Sequence, residues 1–257
     1  TGDRIRKIVE KPYIMTVSTL RAYKNILGLV KAFCMFKELN ANSDINLIIV
    51  GNNNKSNGVI KEIMSFCGER KDVIFTGYVT DGELAYLYRN SLATGFVSFY
   101  EGFGLPVLES LSFGKTVICS DRTSLPEVGG DAVEYCNPYE IESIENAIEK
   151  VVLNDNYRRE LEKKALIQAS KFSYKKSVSP LRVYYTNRNI IYVNKKLNRY
   201  GSIGYENYNC KGYLGFIISF MIPSILRAQD KKSVLKATIQ GVCDGKRSKP
   251  GEWSAEI

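Results

Sequence analysis

Residues 98–109 read Ser98-Phe-Tyr-Glu101-Gly-Phe-Gly104-Leu-Pro106-Val-Leu-Glu109. The apolar run Phe96–Phe99 leading into this stretch is strand-like, and Leu105–Phe113 is apolar at helical spacing. Pro106 suits the first turn of that helix and Gly114 its end. A strand, a loop bared by Gly102 and Gly104, and a helix start therefore follow one another directly. In a parallel α/β sheet such a connection lies at the carboxyl edge of the strands, where ligands bind. The first N–H groups of a helix attract an anion, and glycines let a phosphate or sugar approach the chain closely. Glu101 follows the strand, and Glu109 lies about a turn into the helix. Two carboxylates facing one crevice accept hydrogen bonds from hydroxyls, so the pattern suits an elongated polyhydroxyl ligand with a central phosphate.

Working outward, short apolar runs alternate with amphipathic stretches from Pro12 to about Ser170. Strands are expected at Tyr13–Ser18, Leu47–Val50, Val73–Thr76 and Thr116–Cys119. Helices are expected at Asn25–Leu39, where Ile26, Leu29, Val30, Phe33 and Phe36 recur at helical spacing, and at 58–67, 81–90, 139–153 and 156–170. Thr80 with Glu83 three residues on is a capping-box start for the 81–90 helix. Pro126–Glu127 and Gly129–Gly130 read as a structural turn. Strands separated by single helices imply right-handed crossovers and a doubly wound, Rossmann-like parallel sheet.

Charge is unevenly spread along the 257 residues. Residues 1–170 carry 20 Lys+Arg against 22 Asp+Glu, a net of −2, whereas residues 171–257 carry 16 against 5, a net of +11. The overall +9 belongs to the tail, and no base-reading motif accompanies it, so nucleic acid is not an expected partner. The chain contains no histidine, which excludes imidazole as base, acid or metal ligand within it. Cys34, Cys67, Cys119, Cys136, Cys210 and Cys243 lie far apart with no C-x-x-C pair and read as mostly buried thiols. After Phe172 the composition turns to Tyr, Asn and Lys. The run Tyr213–Leu226 is almost wholly apolar but too short, and broken by Pro223, to span about 30 Å of hydrocarbon.

The segment EGFGLPVLE (101–109) resembles the E-x7-E signature of family-4 retaining glycosyltransferases, enzymes of the two-lobed GT-B fold. STLRAYKN (18–25), LIIVG (47–51), VIFTGYV (73–79) followed by DGEL, GKTVICSD (114–121) and SLPEVGGDA (124–132) fall in the family's order, so the resemblance runs across residues 11–172. It implies that these residues form the C-terminal, nucleotide-sugar-binding lobe. Glu101 would then bind donor-sugar hydroxyls near the reacting carbon, and Glu109 the ribose hydroxyls. The N–H groups of Phe103, Gly104 and Leu105 would meet the sugar and distal phosphate. Lys24, with Arg21 and Asn25 beside it, would clamp the diphosphate, and Gly77, Tyr78 and Val79 would line the base pocket. Ser18–Thr19 stands where many members have Gly-Arg, and Arg21 is the compensating cation.

The same resemblance implies transfer, with retention, of a mannose-like hexose from a nucleotide-diphosphate sugar, GDP-mannose being the donor it suggests. The acceptor would be a glycan or polyprenyl-linked chain in cell-surface polysaccharide (O-antigen) biosynthesis, and neither metal nor other cofactor is expected. Because the sequence opens just before the first strand of this lobe, the N-terminal lobe is expected to be missing. A non-catalytic nucleotide-sugar-binding module lacking its acceptor lobe is the alternative. Residues 175–257 are expected to form a helical basic tail. Within it YYTNRNIIYVNKK (184–196), the 213–226 run and GVCDGKRSKPG (241–251) resemble the C-terminal end of rhamnosyltransferase-like family-2 enzymes. Basic residues flanking an apolar stretch suggest peripheral membrane contact through 213–232, on the inner face of the cell membrane, for an otherwise cytoplasmic protein.

Overall fold

The computed structural model describes residues 3–51, 58–172 and 231–247. The chain divides into two compact units, Thr1–Lys171 and Phe172–Ile257. Within the first, six strands form one parallel sheet in the order β3-β2-β1-β4-β5-β6. They are β1 (Tyr13–Val17), β2 (Asn46–Val50), β3 (Val73–Gly77), β4 (Ala93–Phe96), β5 (Val117–Ser120) and β6 (Glu134–Cys136). The chain winds outward from β1 through β2 to β3, returns to pair β4 against β1, and winds outward again. The reversal leaves a crevice at the carboxyl ends of β1 and β4, the place where sheets of this order bind ligands.

The helices are α1 (Asp3–Ile8), α2 (Ile26–Leu39), α3 (Gly58–Cys67), α4 (Asp81–Asn90), α5 (Leu105–Ser112), α6 (Leu125–Gly129), α7 (Ile141–Leu153) and α8 (Asp155–Ser170). Strand β2 shows why both faces need cover. Its five residues are all buried, and their side chains alternate between two cores. Leu47 and Ile49 join Leu29, Phe33, Phe36, Ile63 and Ile148 under α2, α3 and α7. Ile48 and Val50 join Ile5, Tyr13, Met15, Leu87 and Tyr88 under α1 and α4. Tyr13 pins the end of α4 by donating its buried hydroxyl to Leu87 O at 2.7 Å.

The capping box at the start of α4 is formed. Thr80 Oγ1 accepts from Glu83 N at 3.3 Å, and Glu83 Oε2 accepts from Thr80 N at 2.9 Å. Three elements differ from the sequence reading. Strand β4 spans Ala93–Phe96 rather than Phe96–Phe99, because Val97 O and Phe99 N bond to the segment after β1 instead of continuing the ladder to β5. Strand β6 is too short, and Glu134 and Tyr135 too exposed, to give an apolar pattern. Helix α1 lies ahead of the stretch in which elements are expected, and it buries Ile5 completely. The 125–132 turn is a short helix followed by a 3-10 turn.

Among the described residues Cys34, Cys119 and Cys136 are buried, Cys67 and Cys243 half-buried, and all five are free thiols. Burial pushes the Cys136 thiol up to about 12. The expected helical tail is described only at Lys231–Arg247, where Val234, Ala237 and Thr238 form a buried face. The 184–196 and 213–226 stretches lie outside the described residues. Among those described, no helix is long and apolar enough to cross a membrane.

Replacing Thr80 by alanine removes the capping-box acceptor and should lower the unfolding free energy by about 1 kcal/mol. Urea titration should show this as a lower midpoint at unchanged slope, with Thr80→Ser near wild type. Equal losses in both variants would mean that the cap is not what matters at this position.

Candidate functional site

The crevice is built from two loops that leave neighbouring strands. After β1 the chain makes a 3-10 turn at Ala22–Lys24 and enters α2 through Asn25, whose backbone is left-handed at φ 52. Asparagine tolerates that region better than most residues. The side chain of Asn25 donates from Nδ2 to Val97 O at 3.1 Å and to Pro138 O at 2.8 Å. Gly28 lies so close to this carboxamide that a Cβ there would overlap it. Phe99 N donates to Tyr23 O at 2.9 Å. The loop after β4 is therefore tied to the loop after β1, and the amide nitrogen of Asn25 is committed to that frame.

At the centre, Lys24 Nζ lies 2.5 Å from Glu101 Oε1, with side-chain exposures of 14% and 9%. Ser98 Oγ donates to the same oxygen at 2.8 Å. Glu101 N donates to Thr123 Oγ1 at 3.1 Å, and Ser124 Oγ donates to Glu101 O and Phe103 O, both at 3.2 Å. The ammonium also sits 5.3 Å from the ring centres of Tyr23 and Phe96, a position that favours a cation. Thr123, a β-branched residue at φ 58, holds a strained backbone, and its hydroxyl reaches the Glu101 amide. Gly104 caps α5 at φ 97, and a Cβ there would come within 2.5 Å of Leu125 Cδ2. Glycine is thus required both by the turn and by the close approach of α6.

The remaining sequence-predicted residues divide into groups. Glu109 is half-buried on α5, and its Oε2 accepts from Tyr88 OH at 2.9 Å. Phe103 and Leu105 are half-buried around the glycine cap, and Arg21 is exposed at the rim. Gly77 ends β3 at φ 67, Tyr78 is 81% exposed and Val79 is buried. Arg4 of α1 donates to Thr76 O at 2.9 Å and Tyr78 O at 3.2 Å, fixing that segment. Sequence reasoning did not find Ser98, Thr123, Ser124, Tyr88 or Arg4. The first three are polar residues in the loops that follow apolar strands, a signal that was present. Tyr88 and Arg4 act on partners 21 and 72–74 residues away, which no local pattern reveals.

Residues 3–168 match the family described as Glycosyl transferases group 1. The chain belongs to that family. Among curated relatives of this group 1 glycosyltransferase is O-antigen chain mannosyltransferase B of Escherichia coli, 34% identical over 162 residues, covering 63% of this chain and 42% of that protein. Serotype-specific mannosyltransferase WbdA of the same species is 31% identical over 180 residues, covering 68% and 22%. O-antigen chain mannosyltransferase RfbU of Salmonella typhimurium is 29% identical over 150 residues, covering 58% and 41%. The chain thus spans less than half the length of these relatives. A glycosyltransferase from Rickettsia africae shares the fold, with a TM-score of 0.58 at 19% identity over 78% of this chain and 52% of that one. Sucrose-phosphate synthase from Thermosynechococcus elongatus does likewise, with a TM-score of 0.56 at 19% identity over 78% and 50%. The sheet is accordingly one Rossmann-like half of a GT-B architecture.

Removing one member of a buried ion pair leaves the other charge desolvated and unpaired. Lys24→Met should lower stability by about 3 kcal/mol in urea titration, and adding Glu101→Gln should restore most of the loss. A single variant as stable as wild type would show that the pair does not hold the crevice together.

Proposed function

We propose that the group 1 domain is the donor-binding lobe of a mannosyltransferase that builds a cell-surface polysaccharide. The observation that carries this reading is the Lys24–Glu101 pair at the β1/β4 crevice, next to the bare helix start at Gly104–Leu105. The names of the three curated relatives above, all O-antigen chain or serotype-specific mannosyltransferases, support mannose as the sugar. The donor is a nucleoside diphosphate mannose, with GDP-mannose the first choice, and the acceptor a growing glycan on a polyprenyl lipid. The transfer retains anomeric configuration and takes place at the cytoplasmic membrane surface.

In this reading the diphosphate lies at the first turn of α5, facing the N–H groups of Phe103, Gly104 and Leu105. Lys24, helped by Arg21, takes up the charge that builds on the leaving nucleoside diphosphate. Such preorganised cations act strongly where water is excluded, and no metal is assigned to the task. Lys24 already rests on Glu101, so the carboxylate keeps the ammonium in place before the donor arrives. Glu101 then accepts hydrogen bonds from the mannose hydroxyls near the reacting carbon. Glu109 takes the ribose, and the Gly77–Val79 backbone lines the base. Transfer itself lies between two lobes, and this chain supplies the donor side. A nucleotide-sugar-binding module without turnover is the second reading.

Calorimetric titration of the chain with GDP-mannose, UDP-glucose and dTDP-rhamnose should show binding, tightest for GDP-mannose. Glu109→Ala should weaken the bare nucleotide about tenfold, while Glu101→Ala should erase the preference for nucleotide-sugar over nucleotide. Unchanged titrations for both variants would remove the assignment. Sugar release on adding acceptor separates the transferase from the binding module.

A further inference from the structure

Tyr88 lies near the end of α4 and is 1% exposed, its ring packed among Tyr13, Met15 and Leu87. Helix α5 grips it at two points. Glu109 Oε2 accepts from its hydroxyl at 2.9 Å, and the Phe113 ring stacks on its ring with centroids 5.4 Å apart and planes 13° from parallel. Glu109 on the helix and Phe113, its C-cap residue, are four residues apart and so lie on the same side. The aromatic stack fixes the ring, and the fixed ring fixes where its hydroxyl points. Helices α4 and α5 both start at the carboxyl edge of the sheet, and side chains on a helix lean toward its start. The tyrosine and the glutamate therefore both lean toward that edge, where they meet. Burial and the neighbouring carboxylate push the Tyr88 hydroxyl far above its ordinary pKa, so it remains a donor.

We infer that Tyr88 is a positioning residue for nucleotide binding, holding the Glu109 carboxylate in the orientation in which it takes the ribose hydroxyls. The inference rests on the proposed role of Glu109. A half-buried glutamate side chain has several rotamers, and each one lost on binding weakens affinity. A carboxylate has about four lone-pair sites, and the tyrosine occupies one of them. Among the described residues no other donor reaches Glu109 Oε1, so its remaining lone pairs are left for hydroxyl donors of a ligand. Tyr88 thus supplies no contact to the ligand; it removes a conformational choice from the residue that does.

The test is a double-mutant cycle by calorimetry on the full chain, using whichever of GDP and UDP binds wild type more tightly. Tyr88→Phe keeps the stacked ring and deletes only the hydroxyl. It should weaken the ribonucleotide about three- to tenfold, with little change for the matching 2′,3′-dideoxynucleotide. In a Glu109→Ala background the same substitution should add nothing. If Glu109→Ala weakens binding and Tyr88→Phe leaves it unchanged, the positioning role is wrong while the ribose assignment stands. If Tyr88→Phe weakens ribo- and dideoxynucleotide alike, or adds fully to Glu109→Ala, the tyrosine serves only the fold. Failure of Glu109→Ala to alter binding, or of either nucleotide to bind, overturns the ribose assignment and this inference with it.

Discussion

A lysine and a glutamate, neither of which can be left alone in an interior, meet at the seam between the two halves of the sheet. Lys24 arrives on the loop after β1 and Glu101 on the loop after β4, and both side chains are largely withdrawn from water. Desolvating two charges is costly, and the attraction between them compensates only when geometry and extra hydrogen bonds are favourable. Ser98 supplies one such bond to the carboxylate, and two aromatic rings flank the ammonium. Around this pair the order of the other parts follows. The glutamate backbone is held by Thr123 and Ser124, the glycine cap of α5 comes next, and the helix start then faces the same crevice.

Backbone strain gathers at this edge rather than being scattered over the fold. Among the described residues the non-glycine positions with positive φ are Asn25 and Thr123, and both touch the loops that frame the pair. Each such conformation costs of the order of 1–3 kcal/mol and persists only where its surroundings enforce it. Asn25 is enforced by two carbonyls from distant segments, and Thr123 by the amide of Glu101. The rest of the sheet, where apolar side chains alternate between two cores, carries no comparable burden.

Most of this arrangement was legible from the order of strand-like and helix-like runs. Burial on both faces makes the inner strands continuous apolar words, and the Gly-Phe-Gly-Leu-Pro sequence announces a helix start. The capping box at Thr80 and Glu83 was readable because both partners lie within one turn. What could not be read depended on distance along the chain. Strand β4 stops early because Val97 and Phe99 bond to residues near Tyr23, and a local pattern cannot register that competition. The three-residue β6 has too little apolar content to be noticed. The roles of Arg4 and Tyr88 emerge only once α1, α4 and α5 have been packed.

The early release of β4 also bears on how such a crevice can move. Its two walls are stitched to each other, Phe99 to Tyr23 and Asn25 to Val97, with the ion pair as a further stitch. Parting the two walls means breaking these bonds together, and the ion pair with them.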